Sequence, residues 1–201
     1  MALDNTKDRI VHATSELFRE QGYNATSVKQ IVNQAEAQLG SVYHYFPLGK
    51  QELGAEAIRL SGLLYEQLIP AVFDAAPDVV TGVRDFFDGA GEHLVQTDYA
   101  DACPIETVAL EVASSNEPLR MATSEVFESW IAAATTRFTA AGADRFSAAG
   151  GTEATARELT IGMLCALEGA FVLARASRST QPLRIAGEMT ARTVERARAG
   201  S

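Results

Sequence analysis

The sequence has little of the chemistry that metal sites and most enzymes require. Its 201 residues include only two cysteines and three histidines. Cys103 and Cys165 have neither zinc-site nor disulfide-framework spacing, so we interpret both as buried thiols. No histidine has an acidic residue three positions before it, which argues against a di-iron bundle. Because a phosphate loop, a dinucleotide fingerprint and a nucleophile elbow are also missing, we expect no metal, no cofactor and no enzymatic activity. An all-helical enzyme with a site assembled from distant residues is the remaining alternative.

Long apolar runs are scarce as well. The most apolar one, residues 159–176, contains Glu168 and Arg175, and we expect it to fall short of a membrane span, which needs about 18 or more uncharged residues. The N-terminus, MALDNTKDRI, is polar and acidic, unlike a signal peptide. There are no internal repeats and no alternation typical of strands. We therefore expect a cytoplasmic protein without membrane contact.

Positive charge is also in short supply, since the net charge is −9 at pH 7. Residues 1–55 hold five Lys/Arg and six Asp/Glu, a net of −1, so the remaining residues carry −8. A nearly neutral N-terminal segment can still bind phosphates through a few placed cations and helix N-termini. The acidic remainder would be repelled from DNA and face away. The charge permits nucleic-acid binding at the N-terminus without requiring it.

Three short helical patterns occupy the N-terminal segment. The first covers residues 6–21, where apolar residues recur on one face, with Asn5 or Thr6 as the N-cap and Gly22 as the stop. The second begins at residue 26 or 27 with a capping-box spacing, and the third covers residues 38–46. Two short helices joined by a tight turn after a longer helix are typical of a helix-turn-helix, in which the second helix enters the major groove. The spacing is equally compatible with a three-helix bundle that binds nothing.

The residues of the third helix favour the DNA-binding interpretation. Gly40 allows a phosphate or base edge to approach the backbone, although glycine costs about 1 kcal/mol in a helix interior. Ser41, Tyr43 and His44 offer short donors and flat faces suited to phosphate oxygens and base edges. Lys50 opens the next helix, where free backbone N–H groups and an ammonium can hold one phosphate.

Residues 26–50 read TSVKQIVNQAEAQLGSVYHYFPLGK. This stretch closely resembles the DNA-binding segment of TetR-family transcriptional regulators, and FPLGKQEL resembles the LmrA/YxaF-type branch. The resemblance over residues 6–55 implies that Thr26 and Lys50 touch phosphates, that residues 38–41 meet the groove, and that Tyr43 and His44 contact bases or backbone. Our candidate DNA-binding residues are Thr26, Lys29, Gln38, Leu39, Gly40, Ser41, Tyr43, His44 and Lys50.

The stretch departs from the usual family pattern at two positions. Glu36 stands where the family turn generally has glycine, and such a turn favours a residue able to adopt positive φ. We expect the turn to be strained. Leu39 replaces the more usual polar residue at the groove-facing start of the third helix. It removes one phosphate contact and offers an apolar one, so the family pattern does not predict which bases are read.

The rest of the chain is predicted to be helical, giving about nine helices in all. We place further helices over residues 50–68, 79–94, 104–112, 117–141, 153–176 and 183–199, and a loop over residues 140–152. We expect an all-α fold with a three-helix DNA-binding domain over residues 1–48 and a larger helical effector-binding and dimerisation domain over residues 49–201. The stretch CPIETVALE also resembles LmrA/YxaF-type proteins.

Small residues recur every four positions in the helix over residues 153–176, at Gly162, Ala166, Ala170 and Ala174. Such a seam lets another helix approach closely, and the run is too apolar to face water. The last helix can be this partner within the chain. The family resemblance implies instead that both helices pair with their copies in a homodimer, with two-fold-related half-sites in a palindromic DNA operator.

A small-molecule effector site is predicted in the helical body. Glu168 lies within an apolar helix and is interpreted either as a salt-bridged or dimer-rim residue or as a polar anchor in a cavity. The aromatic residues there either line a pocket or fill the core. Our candidate ligand-binding residues are Phe86, Phe87, Glu106, Leu110, Phe127, Trp130, Glu168 and Phe171. Glu106 and Glu111 are also compatible with solvated helix faces.

The resemblance and the layout together predict a mechanism. A small apolar or aromatic effector, planar and flavonoid-like by resemblance to LmrA/YxaF-type proteins, enters the body and favours one arrangement of the helix over residues 50–68. The spacing of the two recognition helices then changes and DNA is released. The effector can act only through its different affinities for the two arrangements.

Overall fold

The computed structural model describes residues 5–101, 103–149 and 153–199. Within these ranges the chain is helical and contains no strand, which confirms the all-α class. The helices are α1 (Thr6–Gln21), α2 (Val28–Gln34), α3 (Leu39–Tyr45), α4 (Lys50–Glu66), α5 (Leu68–Phe73), α6 (Val79–Gln96), α7 (Pro104–Val112), α8 (Glu117–Ala149), α9 (Glu153–Ser177) and α10 (Gln181–Ala199).

The chain divides into two compact units. The first unit contains the described residues of Met1–Leu64 together with Cys103–Phe127, and the second contains those of Tyr65–Ala102 and Glu128–Ser201. Helix α7 therefore groups with the N-terminal helices by its packing, and it contacts α1. The functional division at residue 48 remains a prediction.

Local sequence signals explain the start and the end of α1. The Asn5 side chain accepts a hydrogen bond from the Asp8 amide at 2.8 Å, which makes Asn5 the N-cap. Gly22 ends the helix with φ 80°, a conformation that favours glycine. The predicted bounds of this helix are confirmed.

The core of the first unit is formed by α1 to α4. Ile10, Ile31 and Leu53 are fully buried and belong to one apolar cluster. Truncating such a side chain to alanine typically costs about 2–5 kcal/mol. This cluster fixes α2 and α3 on their supporting helices and leaves their other faces to solvent.

The core of the second unit lies where α10 packs against α6 and α9. Phe87, Leu94, Met163 and Leu183 are at most 1% exposed, so each of these three helices contributes at least one fully buried side chain. The last helix is therefore a partner of α9 within the chain. Parts of both helices remain exposed in the single chain.

Two predicted segments differ from the structure. Helix α8 continues to Ala149, so the predicted loop is wrong over residues 140–149, whereas residues 150–152 lie outside the described residues. Residues 140–149 contain five alanines and one glycine, and alanine has the highest helix propensity of all residues. In addition, the short helix α5 follows α4, with Pro70 tolerated in its first turn.

The cysteine prediction is half right. Cys103 is buried, but Cys165 is exposed, so the expectation that both thiols are buried is wrong for Cys165. The sequence could not separate them because Cys165 belongs to a helix whose apolar residues extend around much of its circumference. Part of that apolar surface remains open to solvent in the single chain.

The expectation that the apolar run of α9 falls short of a membrane span is also wrong. Within the described ranges, Ala156–Ser177 has the length and composition of a span, with a mean hydropathy of 1.6. A core helix of a soluble protein meets the same test. One such helix is weak evidence for membrane insertion, and this one packs against α10.

Candidate nucleic-acid interface

Helix α2 begins with the predicted capping box. The Gln30 amide donates to Ser27 Oγ at 3.2 Å, and the Ser27 amide donates to Gln30 Oε1 at 2.8 Å. Two of the amide groups that a helix N-terminus leaves unpaired are thereby satisfied. The start of α2 is therefore fixed at Val28.

The turn between α2 and α3 has the backbone conformation expected from the sequence. Glu36 has φ 49°, in the left-handed region that costs a residue with a side chain about 1–2 kcal/mol. The Ala37 amide donates to the carbonyl of Val32 at 2.9 Å and closes the end of α2. Arg9 on α1 donates from Nε to the carbonyl of Ala35 at 3.1 Å. The strained turn is therefore anchored on both sides.

Helix α3 has one buried face and one outward face. Val42 is fully buried and Phe46, at its C-cap, is 3% exposed, as predicted for packing residues. Leu39 and Tyr43 are each 54% exposed, a large fraction for apolar side chains on a short helix. The outward face consists of Gln38, Leu39, Gly40, Tyr43, His44 and Tyr45. It offers aromatic, apolar and hydrogen-bonding groups that the core does not use.

Gly40 has no packing role within the described residues. A Cβ atom built at this position would meet nothing within 4 Å. Glycine weakens a helix interior relative to alanine, so its presence here has no explanation in the packing of the chain itself. Gly89, Gly162 and Gly169 are equally open, so the space around Gly40 permits close approach of another molecule without requiring it.

The two candidate lysines differ in their surroundings. Lys29 on α2 is exposed. Lys50 is half-buried: its Nζ donates to the carbonyl of Tyr23 at 2.6 Å and lies 4.0 Å from the centroid of that ring. Burial lowers the pKa of the Lys50 ammonium, and the nearby carboxylate of Glu111 partly offsets this by raising it. Lys50 therefore already holds internal partners, whereas Lys29 faces solvent.

Thr26 is also engaged within the protein. It is 1% exposed, and its Oγ1 donates to the carbonyl of Gly22 at 2.7 Å and accepts from Gln21 Nε2 at 3.1 Å. Its amide donates to the carbonyl of Tyr23 at 3.2 Å. In this arrangement Thr26 organises the turn before α2. The phosphate contact implied by the resemblance remains a prediction for this residue.

Most of the candidate DNA-binding residues are exposed. Lys29 and the residues from Gln38 to Gly40 are exposed, as are Tyr43 and His44, and Ser41 is half-buried. Thr26 is instead buried and Lys50 half-buried, and both donate a hydrogen bond to the carbonyl of Tyr23.

Glu111 was not among the candidate DNA-binding residues, although it contacts the DNA-binding segment. Its Oε2 accepts a hydrogen bond from the Asn24 amide at 2.8 Å. The alternative of a solvated helix face is therefore wrong for Glu111, which is half-buried. No local signal identifies the pair, because 87 positions separate the two residues along the chain.

The candidate ligand-binding residues divide between the two units. Glu106, Leu110 and Phe127 lie in the first unit, and the others lie in the second. Leu110 is 76% exposed in the single chain, whereas Phe87, Trp130 and Phe171 are buried. These positions remain candidates, and the structure does not bring them together within one unit.

The second unit contains an open cleft of about 440 Å³ between α6 and the start of α10. Of the candidate ligand-binding residues, Phe87 lines this cleft. Its remaining lining residues are Asp88, Gly91, Glu92, Val95, Gln96, Thr180, Leu183 and Arg184.

The seam of small residues on α9 does not lie on a single face. Gly162 is exposed and Ala166 is half-buried, whereas Ala170 and Ala174 are 4% and 0% exposed. Each four-residue step advances about 40° beyond a full helical turn, so the spacing drifts from the solvent side to the buried side. Large apolar residues that are exposed on the described parts of α9 and α10 are Ile161, Val172, Leu173, Ile185 and Met189, and Cys165 is exposed as well.

Comparisons with known proteins agree with the fold and with the N-terminal motif. Residues 10–57 match the family described as bacterial regulatory proteins, tetR family, and residues 79–189 match the transcriptional regulator LmrA/YxaF-like C-terminal domain. The chain is 32% identical over 184 residues to the uncharacterized HTH-type transcriptional regulator YxaF of Bacillus subtilis, covering 92% of each chain. It is 26% identical to LmrA of the same species, covering 91% of this chain and 93% of that one.

A solved structure has the same fold. The regulatory protein TetR from Rhodobacter sphaeroides superposes with a TM-score of 0.77 at 23% identity, over 92% of this chain and 96% of that chain. The relatives are transcriptional regulators, which confirms the expectation that the chain is not an enzyme. The chain therefore belongs to the TetR family of bacterial transcriptional regulators, in its LmrA/YxaF-like branch.

Proposed function

We propose that this regulator is a cytoplasmic homodimeric repressor. It binds a palindromic DNA operator through α3 and leaves the operator when a small apolar or aromatic effector binds to the body. The observation that carries the proposal is the outward face of α3, on which Leu39 and Tyr43 are each 54% exposed while Val42 anchors the opposite side. A helix that is anchored on one side and exposed on the other holds aromatic, apolar and polar side chains rigidly where they can contact DNA bases.

Few cations take part in the proposed DNA contact. Lys29 faces solvent on α2 and supplies a phosphate contact beside the recognition helix. Because Gly40 has no side chain, DNA can approach the backbone of α3 there, and backbone groups can contact the phosphates. With so few charged contacts, the affinity depends only moderately on salt concentration.

The proposed dimer uses the exposed faces of α9 and α10. Leu173 and Met189 are 61% and 65% exposed, and Cys165 lies among the exposed apolar residues of the same helices. Cβ atoms built at Gly162 and Gly169 would meet nothing within 4 Å, so a second helix has room to approach. Two such faces related by a two-fold axis form a four-helix interface. The recognition helices then suit half-sites about 34–36 Å apart.

The effector proposal places a planar aromatic molecule in the helical body, in the domain proposed over residues 49–201. Phe87 borders the cleft between α6 and α10, but it is 1% exposed, so an aromatic effector must shift this ring to stack on it. The effector acts as an inducer only if it binds the DNA-free arrangement more tightly than the DNA-bound one.

The DNA-binding proposal is tested by fluorescence anisotropy with a labelled duplex from the region upstream of the protein's own gene. The double variant Tyr43→Ala with Lys29→Ala removes two exposed side chains and should abolish binding without lowering the thermal unfolding temperature. Arg59→Ala is the control, because Arg59 is also an exposed cation but lies on α4 in an ion pair with Glu125. Unchanged binding by the double variant would show that the assigned surface is wrong.

A further inference from the structure

The carboxylate of Glu111 on α7 contacts the turn that joins α1 to α2. Glu111 Oε2 accepts the hydrogen bond of the Asn24 amide at 2.8 Å. A Cβ atom at Gly22 would overlap Glu111 Oε1, so position 22 admits no side chain while Glu111 stays in place. Gly22 also has φ 80°, which glycine adopts without strain. Both the shape and the hydrogen bonding of the turn therefore match this carboxylate.

The position of Glu111 on α7 is unfavourable for helix stability. The residue lies in the last turn of a helix that ends at Val112, where the helix dipole disfavours a negative charge. Lys50 offers partial compensation, since it approaches the same turn from the start of α4. Attraction between the two charged groups is reflected in the pKa of Lys50, which Glu111 raises against the effect of burial.

The same turn determines where α2 begins. Thr26 is buried and bonds through its hydroxyl to the carbonyl of Gly22 and through its amide to the carbonyl of Tyr23. Ser27, the next residue, is the N-cap of α2. A displacement of residues 22–24 therefore reaches the start of α2 through bonds of 2.7 Å and 3.2 Å.

We propose that Glu111 is a positioning residue for DNA binding, which holds the Gly22–Asn24 turn and thereby fixes α2 and the recognition helix in the binding orientation. The inference rests on the proposed DNA-binding function. It makes DNA affinity sensitive to the position of α7, because a shift of about 1 Å takes a 2.8 Å contact beyond hydrogen-bonding distance. When the contact is lost, only part of the population remains competent to bind, and the apparent affinity falls in proportion.

Two variants of the full-length protein separate the charge from the hydrogen bond. Glu111→Ala removes both, whereas Glu111→Gln retains an oxygen that can accept from the Asn24 amide. Glu117→Ala is the matched control, because this carboxylate lies in the same unit but pairs with Arg120 on its own helix. The measurements are hydrogen exchange at the Asn24 amide without DNA, thermal unfolding, and anisotropy with a labelled duplex from upstream of the protein's own gene.

In Glu111→Ala we expect faster exchange at Asn24 and a loss of about tenfold in DNA affinity, the factor that one charge-assisted hydrogen bond is worth. Exchange at the buried Leu94, in the other unit, should stay unchanged, and Glu111→Gln should recover most of the affinity. Unchanged exchange at Asn24 overturns the inference. Faster exchange with wild-type affinity also overturns it, because Glu111 is then only a structural residue. Failure of the wild-type protein to bind the duplex counts instead against the proposed function.

Discussion

The ammonium nitrogen of Lys50 donates a hydrogen bond of 2.6 Å to the backbone carbonyl of Tyr23 and lies 4.0 Å from the centroid of the same residue's ring. A charged hydrogen bond and a cation–π contact thus join the first residue of α4 to the turn before α2. The family resemblance implies a phosphate contact for Lys50. A phosphate must share or replace these internal partners, which gives Lys50 a structural role that Lys29 does not have.

Replacing the two lysines separately should therefore give different results. Lys50→Ala is expected to lower the free energy of unfolding by about 1–3 kcal/mol, because it removes a charged hydrogen bond and a cation–π contact. Lys29→Ala should leave the unfolding free energy unchanged and reduce the slope of log affinity against log salt by about 0.9, the value of one phosphate contact. Urea unfolding and salt-dependent anisotropy measure the two effects. Equal stability losses in both variants would contradict the distinction.

Adding a methyl group at Gly40 should separate folding from binding. Since a Cβ there meets nothing within 4 Å, Gly40→Ala is expected to stabilise the protein by up to about 1 kcal/mol through helix propensity. The same methyl group occupies the outward face of α3 and should weaken DNA binding. Urea unfolding and anisotropy on one preparation test both halves of this prediction. A variant that gains stability and keeps full affinity would show that the backbone at Gly40 does not approach DNA.

Local signals explain why much of the N-terminal unit could be predicted. The bounds of α1, the Ser27 and Gln30 capping box and the positive φ of Glu36 all depend on residues a few positions apart. The burial of Val42 on one side of α3, with Leu39 and Tyr43 exposed on the other, likewise follows from helical periodicity. Such features are encoded within single elements, so the sequence predicts them before any tertiary contact is known.

The contacts that the sequence did not predict are nonlocal or depend on which side of a helix is covered. Glu111 meets Asn24 across 87 positions, and no pattern around either residue marks the pair. Gly162 and Ala174 share a four-residue spacing, yet the first is exposed and the second fully buried. Periodicity identifies an apolar stripe, but only packing shows which part of it the chain itself covers.

The strained turn offers a way to stabilise the protein. Glu36→Gly relieves the left-handed strain, which stabilises the folded protein by about 1–2 kcal/mol. Glycine also increases the conformational entropy of the unfolded chain, which destabilises the folded protein by about 0.4–1 kcal/mol. We therefore expect a net gain of up to about 1.5 kcal/mol in the free energy of unfolding. Glu36→Gln is the control, because it removes the same charge while keeping a side chain at φ 49°. An equal gain in both variants would assign the effect to charge and not to the backbone.

A charge on the exposed face of α9 should disrupt the proposed dimer. Leu173 is 61% exposed in the single chain, and burial of such a side chain contributes about 1.5–3 kcal/mol per protomer to association. Leu173→Glu removes this favourable burial and adds the cost of desolvating a carboxylate. Because the interface is two-fold symmetric, the partner's copy of the substitution places a second carboxylate in it. We expect this variant to elute as a monomer in size-exclusion chromatography with light scattering.

Leu63→Glu is the matched control for the dimer experiment. Leu63 is also 61% exposed, and the substitution is the same, but it lies on α4 outside the proposed interface. Leu63→Glu should remain dimeric and retain operator binding. Leu173→Glu should bind the palindrome far more weakly, because a monomer occupies only one half-site at a time. Monomers from both variants would mean that added charge alone disrupts association. Dimers from both would move the interface away from this face of α9.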